Sequence, residues 1–379
     1  MARQTKLHVA GENAETFVRA IGHNATLCLR ESCKEASCNR CVDICPGHAV
    51  RVPTSKEMPG GVKLTVSKGF CVDCGLCAAV CPTNGLVVME PAMRTLRRRL
   101  RKASQVAPQD GHVYLTCVET GLAQKDPCVV ELACLGMLTW EMWVNLMLDF
   151  PNLGVYLPGE LCGRCKAKKA EDMIVDAVCH AQEVVGRDVT LVETMRELDF
   201  TNSVGAIDPK RAEAFNGMGS GLASIVKDIT TTSEDDLPSD ELCQTDSRKM
   251  RIRLRKEIMA ERGENTPGLI GAEELGGTLT HARWAILDAA MRFPEIAERA
   301  QIDGVQIDAS KCAGGEDGDC AACADVCPLG ALVVREDGGL AVRDAICVGC
   351  GLCVQTCKDG AITPKTTPLS ELLGDGSER

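Results

Sequence analysis

The stretch CVDCGLCAAVCP, Cys71 to Pro82, places four cysteines with two, two and three residues between them and ends in proline. A cubane iron–sulfur cluster has four iron corners, and each corner binds one thiolate. Three thiolates at this spacing can bind three corners of one cluster from a single tight loop, whereas the fourth cysteine is placed to bind a second cluster. The stretch therefore predicts a fold built around paired clusters that exchange one ligand.

Three further runs of four cysteines occur in the chain, so that the four runs hold 16 of its 24 cysteines. In each pair of neighbouring runs, the first has a longer gap after its first cysteine and the second has the centre CGLC. We interpret this pattern as an internal repeat of a two-run unit. The runs are Cys33, Cys38, Cys41 and Cys45; Cys71, Cys74, Cys77 and Cys81; Cys312, Cys320, Cys323 and Cys327; and Cys347, Cys350, Cys353 and Cys357.

The composition excludes several classes of protein. A net charge of −11 and an aromatic content of 3% disfavour a nucleic-acid partner, which needs a basic face. The chain shows neither a membrane-spanning apolar run nor the apolar core of a signal peptide, so we expect it to be cytoplasmic. Thiols stay reduced there, which favours metal over disulfides. Zinc knuckles use other spacings, often with histidine, and only His48 lies next to a run.

The paired runs resemble the bacterial ferredoxins that carry two [4Fe-4S] clusters, over about residues 30–90 and 303–365. The resemblance implies two small α+β units and four [4Fe-4S] clusters. The ligand sets that it implies are Cys33, Cys38, Cys41 and Cys81 for cluster one; Cys71, Cys74, Cys77 and Cys45 for cluster two; Cys312, Cys320, Cys323 and Cys357 for cluster three; and Cys347, Cys350, Cys353 and Cys327 for cluster four.

The chain departs from this family in three places. The gap after Cys33 has four residues and the gap after Cys312 has seven, where the family has two. The first ligand of each unit is therefore the least determined, and Cys28 is a distant substitute for Cys33. The last run lacks the proline, and Lys358 beside Cys357 predicts a raised reduction potential for that cluster.

Between the two units, residues 112–196 alternate predicted strands and helices, which indicates a small parallel α/β sheet. The carboxyl ends of parallel strands share one edge, and four cysteines fall there: Cys117, Cys134, Cys162 and Cys165. They predict a fifth metal centre, a redox-active thiol pair in CGRC, or buried cysteines that act as small hydrophobes. A short part of this region is similar to a relay domain in subunits of hydrogenases and heterodisulfide reductases. Cys128, Cys179 and Cys243 are expected to be structural.

We therefore predict an α+β chain in which two dicluster ferredoxin domains flank a small parallel α/β domain. The basic segment at 93–103 is interpreted as a solvated helix face or as a docking site for an acidic partner. The predicted boundaries are 1–92 for the first ferredoxin domain, 93–111 for a basic linker, 112–200 for the α/β domain, 201–300 for a helical and linker region, and 301–379 for the second ferredoxin domain.

No catalytic triad, Walker loop or dinucleotide-binding fingerprint is present. The resemblance implies electron transfer: a relay of single electrons within a cytoplasmic oxidoreductase complex of an anaerobe. Its partners would be redox proteins, among them a catalytic subunit of molybdenum or tungsten, flavin or hydrogenase type. Two alternatives stay open, namely a redox enzyme whose chemistry takes place at the middle cysteines, and a maturation or scaffold protein.

Overall fold

The structure is a computed structural model that describes the following residues: 21–33, 36–52, 63–88, 93–108, 111–123, 126–168, 170–195, 198, 280–314, 320–335 and 339–373. Most of the predicted helical and linker region 201–300, with Cys243, lies outside these residues. In the part that is described, no helix has the length and apolar character needed to span a membrane.

The N-terminal unit consists of short elements placed between cysteines. Two antiparallel strand pairs, β1 with β4 and β2 with β3, close its two halves. One strand follows Cys45 and another follows Cys81, the last cysteines of the two runs. The elements are β1 (Ile21–His23), α1 (Leu29–Ser32), α2 (Arg40–Ile44), β2 (Val50–Arg51), β3 (Thr65–Val66), α3 (Leu76–Ala79) and β4 (Leu86–Val88).

The middle unit contains a four-stranded sheet in the order β6-β5-β7-β8, and all its neighbouring strands are parallel. The sequence predicted such a sheet here. One face of the sheet packs into the large hydrophobic core. The other face packs against Leu122 and Leu198, which lie outside helices and strands. The elements are α4 (Met93–Val106), β5 (Val113–Cys117), β6 (Val129–Leu132), α5 (Trp140–Asp149), β7 (Leu153–Tyr156), α6 (Gly159–Arg164), α7 (Ala170–Val185) and β8 (Thr190–Val192).

The C-terminal unit also contains two antiparallel strand pairs, and its outer pair is longer than that of the N-terminal unit. Strand β9 pairs antiparallel with β12 over seven residues, and β10 pairs with β11. Two helices precede it, and the first packs against α5 of the middle unit. The elements are α8 (His281–Arg292), α9 (Pro294–Arg299), β9 (Gln301–Ile307), α10 (Ala322–Val326), β10 (Leu332–Val334), β11 (Leu340–Val342), α11 (Leu352–Thr356), β12 (Ile362–Pro368) and α12 (Leu369–Leu373).

One hydrophobic core runs through the middle and C-terminal units and reaches Cys74 and Leu76 of the N-terminal unit. A smaller core lies inside the N-terminal unit, around Ala49, Val50 and Leu86. Most cysteines of the runs are buried in these cores or pack against them, whereas Cys320 is exposed.

Candidate metal centres

A repeated backbone motif holds the first cysteine of a run in place. The residue four positions before it accepts a hydrogen bond from the cysteine N–H. The N–H of that same residue donates to the carbonyl group four positions after the last cysteine of the paired run. In the first instance, Cys71 donates to Ser67 (3.0 Å) and Ser67 donates to Ala49 (2.8 Å). In the second, Cys312 donates to Asp308 (3.1 Å) and Asp308 to Ala361 (2.8 Å). In the third, Cys347 donates to Arg343 (2.9 Å) and Arg343 to Ala331 (2.7 Å).

A second repeated motif follows the last cysteine of a run. The third residue after it has a left-handed backbone, as at His48, Gly330 and Gly360. This turn directs the next N–H back at the sulfur. Ala49 donates to the Sγ of Cys45 (3.2 Å), Ala331 to that of Cys327 (3.3 Å) and Ala361 to that of Cys357 (3.3 Å). Such N–H groups stabilise negative charge on a bound thiolate and tune the potential of a cluster.

Two groups of cysteines lie in the N-terminal unit, and each lines a small cavity. Group N2 consists of Cys45, Cys71, Cys74 and Cys77, the set that the sequence predicted for cluster two. Group N1 consists of Cys28, Cys38, Cys41 and Cys81.

Group N1 contains Cys28 in the place where the sequence predicted Cys33. Burial, together with the neighbouring thiols Cys81, Cys28 and Cys38, raises the pKa of the Cys41 thiol to about 12. Cys33 is buried elsewhere, in a cluster with Leu29, Ala36 and Leu352.

The C-terminal unit holds two more groups. Group C2 consists of Cys327, Cys347, Cys350 and Cys353. Burial raises the pKa of Cys353 to about 12, with added effects from Cys350, Cys347 and Cys327. Group C1 consists of Cys312, Cys320, Cys323 and Cys357. Burial raises the pKa of the Cys323 thiol, and the neighbouring thiols Cys312 and Cys320 contribute to this rise. The hydrogen bond from Asp308 to Ala361 connects the turn before Cys312 with the turn after Cys357.

Group M consists of the four middle cysteines, Cys117, Cys134, Cys162 and Cys165, which come together at the carboxyl edge of the sheet. Burial raises the pKa of Cys134 to about 12, and Cys74, Cys117 and Cys165 add to it. Burial raises the pKa of Cys162 to about 11, with further effects from Cys117 and Cys165. The N–H of Ala167 lies 3.4 Å from the Sγ of Cys165. Cys128 lies before β6, away from this edge, and Cys179 is exposed on α7.

A buried arginine that sequence reasoning missed lies against group C2. Arg283 donates through Nη2 to the carbonyl group of Cys347 and to that of Asp303 (2.7 Å). Its position in α8, more than 60 residues before Cys347, gives no local pattern that connects the two.

The donor sets fit iron–sulfur clusters, since thiols converge in apolar surroundings with backbone N–H groups directed at several of them. No disulfide bond joins cysteines in the described part of the chain. Within those residues, no three His, Cys, Asp or Glu side chains converge tightly enough for a single metal ion. The thiolates of a cubane bind four separate iron atoms and are spaced by the cube instead.

Comparison with known proteins points to the same cofactor. A family model described as a 4Fe-4S dicluster domain matches residues 32–84. A ferredoxin of Methanothermococcus thermolithotrophicus is 36% identical over 61 residues, which are 16% of this chain and 97% of that protein. No solved structure matches the chain.

Subunits of two reductases are also similar. A subunit of the tetrathionate reductase of Archaeoglobus fulgidus is 44% identical over 39 residues, 10% of this chain and 19% of the relative. A subunit of the anaerobic dimethyl sulfoxide reductase of Escherichia coli is 48% identical over 40 residues, 11% of this chain and 20% of the relative. The chain thus spans about a fifth of the length of each. Together the similarities support 4Fe-4S clusters as cofactor and electron transfer as activity.

Proposed function

Because the protein belongs to the ferredoxin family, we propose that it relays single electrons through four [4Fe-4S] clusters held by groups N1, N2, C1 and C2. The observation that carries the proposal is the repeated pair of backbone motifs, which places thiols and N–H donors in the same way in both units. When bound, each cluster supplies one reversible electron. The proposal includes the duplication of the unit and the two ferredoxin domains that flank the sheet.

The contacts between groups support one order along the relay, namely N2, N1, C2 and C1. Burial raises the pKa of Cys77, and Cys41 of group N1 is among the neighbouring thiols that add to it. Cys38 of N1 and Cys350 of C2 both border the cluster formed by Leu29, Cys33, Ala36 and Leu352. Groups C2 and C1 share two cysteine runs. The apolar side chains between groups exclude water, which keeps the reorganisation of solvent small when charge moves.

We place the relay in a cytoplasmic oxidoreductase complex of an anaerobe, with a catalytic subunit as partner. The similarity to subunits of two reductases supports this setting. The partner would be of molybdenum or tungsten, flavin or hydrogenase type. Anaerobic purification from the native host at low salt tests the proposal: a stoichiometric catalytic subunit supports it, and a chain that emerges alone with intact clusters contradicts it.

Iron analysis of the anaerobically purified chain tests the four clusters. Four cubanes require about 16 iron and 16 sulfide atoms per chain, and about four electrons in a reductive titration. A chain that contains zinc, or whose clusters cannot be reduced and reoxidised without unfolding, would contradict the relay. The second result would favour a maturation or scaffold role.

Group M supports a second function, a fifth centre at which the relay begins or ends. The closeness of Cys134 to Cys74 of group N2 is the specific observation in its favour. A fifth iron–sulfur centre adds about two to four iron atoms to the chain. Redox chemistry at this centre would make the protein an enzyme supplied by the ferredoxin clusters.

Replacing Cys162 or Cys165 by serine separates the readings of group M. A metal centre predicts a loss of about two to four iron atoms, while Cys179→Ser on the exposed face of α7 leaves the iron content unchanged. Unchanged iron content, combined with loss of the redox activity of the purified complex, would favour the thiol pair in CGRC. Unchanged iron and unchanged activity would leave these cysteines as buried hydrophobes.

A further inference from the structure

The first motif described above occurs a fourth time, and there it ends at Cys28. The N–H of Cys28 donates to the carbonyl group of Asn24 (3.1 Å), and the N–H of Asn24 donates to that of Gly85 (2.9 Å). Gly85 lies four positions after Cys81, as Ala361 lies four positions after Cys357. By this backbone pattern, Cys28 is the counterpart of Cys312.

The side chains around the two cysteines match as well. The Oδ1 of Asn24 accepts from the N–H (3.1 Å) and the hydroxyl (2.8 Å) of Thr26. The Oδ1 of Asp308 accepts from the N–H (3.1 Å) and the hydroxyl (2.6 Å) of Ser310. In both units this turn follows the outer strand, β1 or β9, which pairs with the strand after the last cysteine run.

The thiol of Cys28 shares its cavity with three other cysteines, Cys38, Cys41 and Cys81. Gly85 lines the same cavity, and its backbone packs directly against Cys28. A Cβ atom at position 85 would lie 2.9 Å from the Cα of Cys28, so that glycine allows this approach. The remaining motifs have alanine at the position that corresponds to Gly85.

Cys33 occupies a different environment. Its N–H donates to the carbonyl group of Leu29, the first residue of helix α1 (3.0 Å). Its side chain lies in the cluster that contains Leu352 of the C-terminal unit. The helical turn Leu29–Ser32 separates it from Cys28.

We infer that Cys28, and not Cys33, is the fourth thiolate ligand of the cluster held with Cys38, Cys41 and Cys81. Cys28 would bind as the thiolate: its proton would pass to solvent and its sulfur would form one bond to iron, with no change in the oxidation state of either atom. The inference rests on the proposed function, because it presupposes that group N1 holds a cubane. Cys33 then serves as a small apolar side chain in the interface between the units.

The test compares Cys28→Ser and Cys33→Ser in the full chain, purified anaerobically, by iron content and by EPR spectroscopy of the oxidised state. Cys28→Ser is expected to lose between one and four iron atoms. Loss of one iron leaves a three-iron cluster with an EPR signal in the oxidised state, and loss of the whole cubane lowers the iron content by about four without adding a signal. Cys33→Ser is expected to keep the iron content and spectrum of the unmodified chain. Cys312→Ser is the matched positive control and should reproduce the loss caused by Cys28→Ser.

A loss of iron in Cys33→Ser would overturn the inference, whether or not Cys28→Ser also loses iron. An unchanged Cys28→Ser protein would overturn it too. If Cys28→Ser does not fold, Cys33→Ser alone decides, since a full iron content without that thiol shows that Cys33 is not needed as a ligand. Failure of the proposed function is recognised separately, as an iron content of the unmodified chain well below that of four cubanes.

Discussion

Arg283 lies beside group C2 without being one of its cysteines, so its charge would act on a cluster bound there from outside the ligand set. Its buried guanidinium bonds to the carbonyl group of Cys347, which places a positive charge beside group C2. A reduced cluster carries one more negative charge than the oxidised form, so a nearby cation favours reduction.

We expect Arg283→Met to lower the reduction potential at group C2 by about 60 mV. This shift corresponds to about 1.4 kcal/mol for one electron, a modest charge interaction at the effective dielectric of a protein. Redox titration followed by EPR measures it. Arg283→Lys keeps the charge and should keep most of the potential. Equal potentials in the Met variant and the unmodified chain would contradict the prediction.

At this scale, the sequence predicts thiols as the donors, whereas the choice between Cys28 and Cys33 depends on contacts that the sequence does not display. The family resemblance implied Cys33 as the first ligand, with Cys28 as a distant substitute. The longer gap is bridged by helix α1 and anchored by Asn24 on Gly85, which is 61 positions away in the chain. A contact at that distance leaves no trace in a spacing rule. The same holds for Arg283.

Among the elements, helix α4 differs most from its interpretation as a solvated basic face. Leu96, Leu100 and Ala103 are buried on one side of it. The Nε of Arg97 lies 2.9 Å from a carboxylate oxygen of Asp149 at the end of α5, and Arg292 of α8 pairs with the same carboxylate. The run of arginines and lysines predicts a basic helix. It does not predict the ion pair, because the partner Asp149 lies on a different helix. The parallel sheet was predictable because predicted strands and helices alternate along residues 112–196.

Asp149→Asn tests whether this ion-pair network joins the three helices. The substitution removes the carboxylate that the partly buried guanidinium groups of Arg97 and Arg292 share. We therefore expect the free energy of unfolding to fall by about 3 kcal/mol. Denaturant unfolding of the anaerobic protein measures the change. Asp176→Asn, on the exposed face of α7, is the control and should cost less than about 0.5 kcal/mol. Equal stabilities of the two variants would show that the network contributes little.

Across the whole molecule, the two CGLC centres share a packing role. The leucine of each centre is fully buried and makes a contact with another unit. Leu76 packs on Gly136 of the middle unit, next to group M. Leu352 packs against Leu29, Cys33 and Ala36 of the N-terminal unit, next to group N1. The repeat in the sequence therefore also repeats a buried leucine that contacts a neighbouring unit.

Leu352→Ala and Leu76→Ala follow from this arrangement as a matched pair. Each truncates the leucine at the first position of a short helix, α3 or α11, and each should cost about 2 to 4 kcal/mol of stability through the cavity that it leaves. Only Leu352→Ala is expected to loosen the contact between groups N1 and C2. EPR spectra of the fully reduced protein should then show weaker magnetic interaction between those two clusters, while Leu76→Ala leaves that interaction intact. A spectrum altered equally in both variants would mean that the leucines support the fold in general, and that the order of the relay is not set by these contacts.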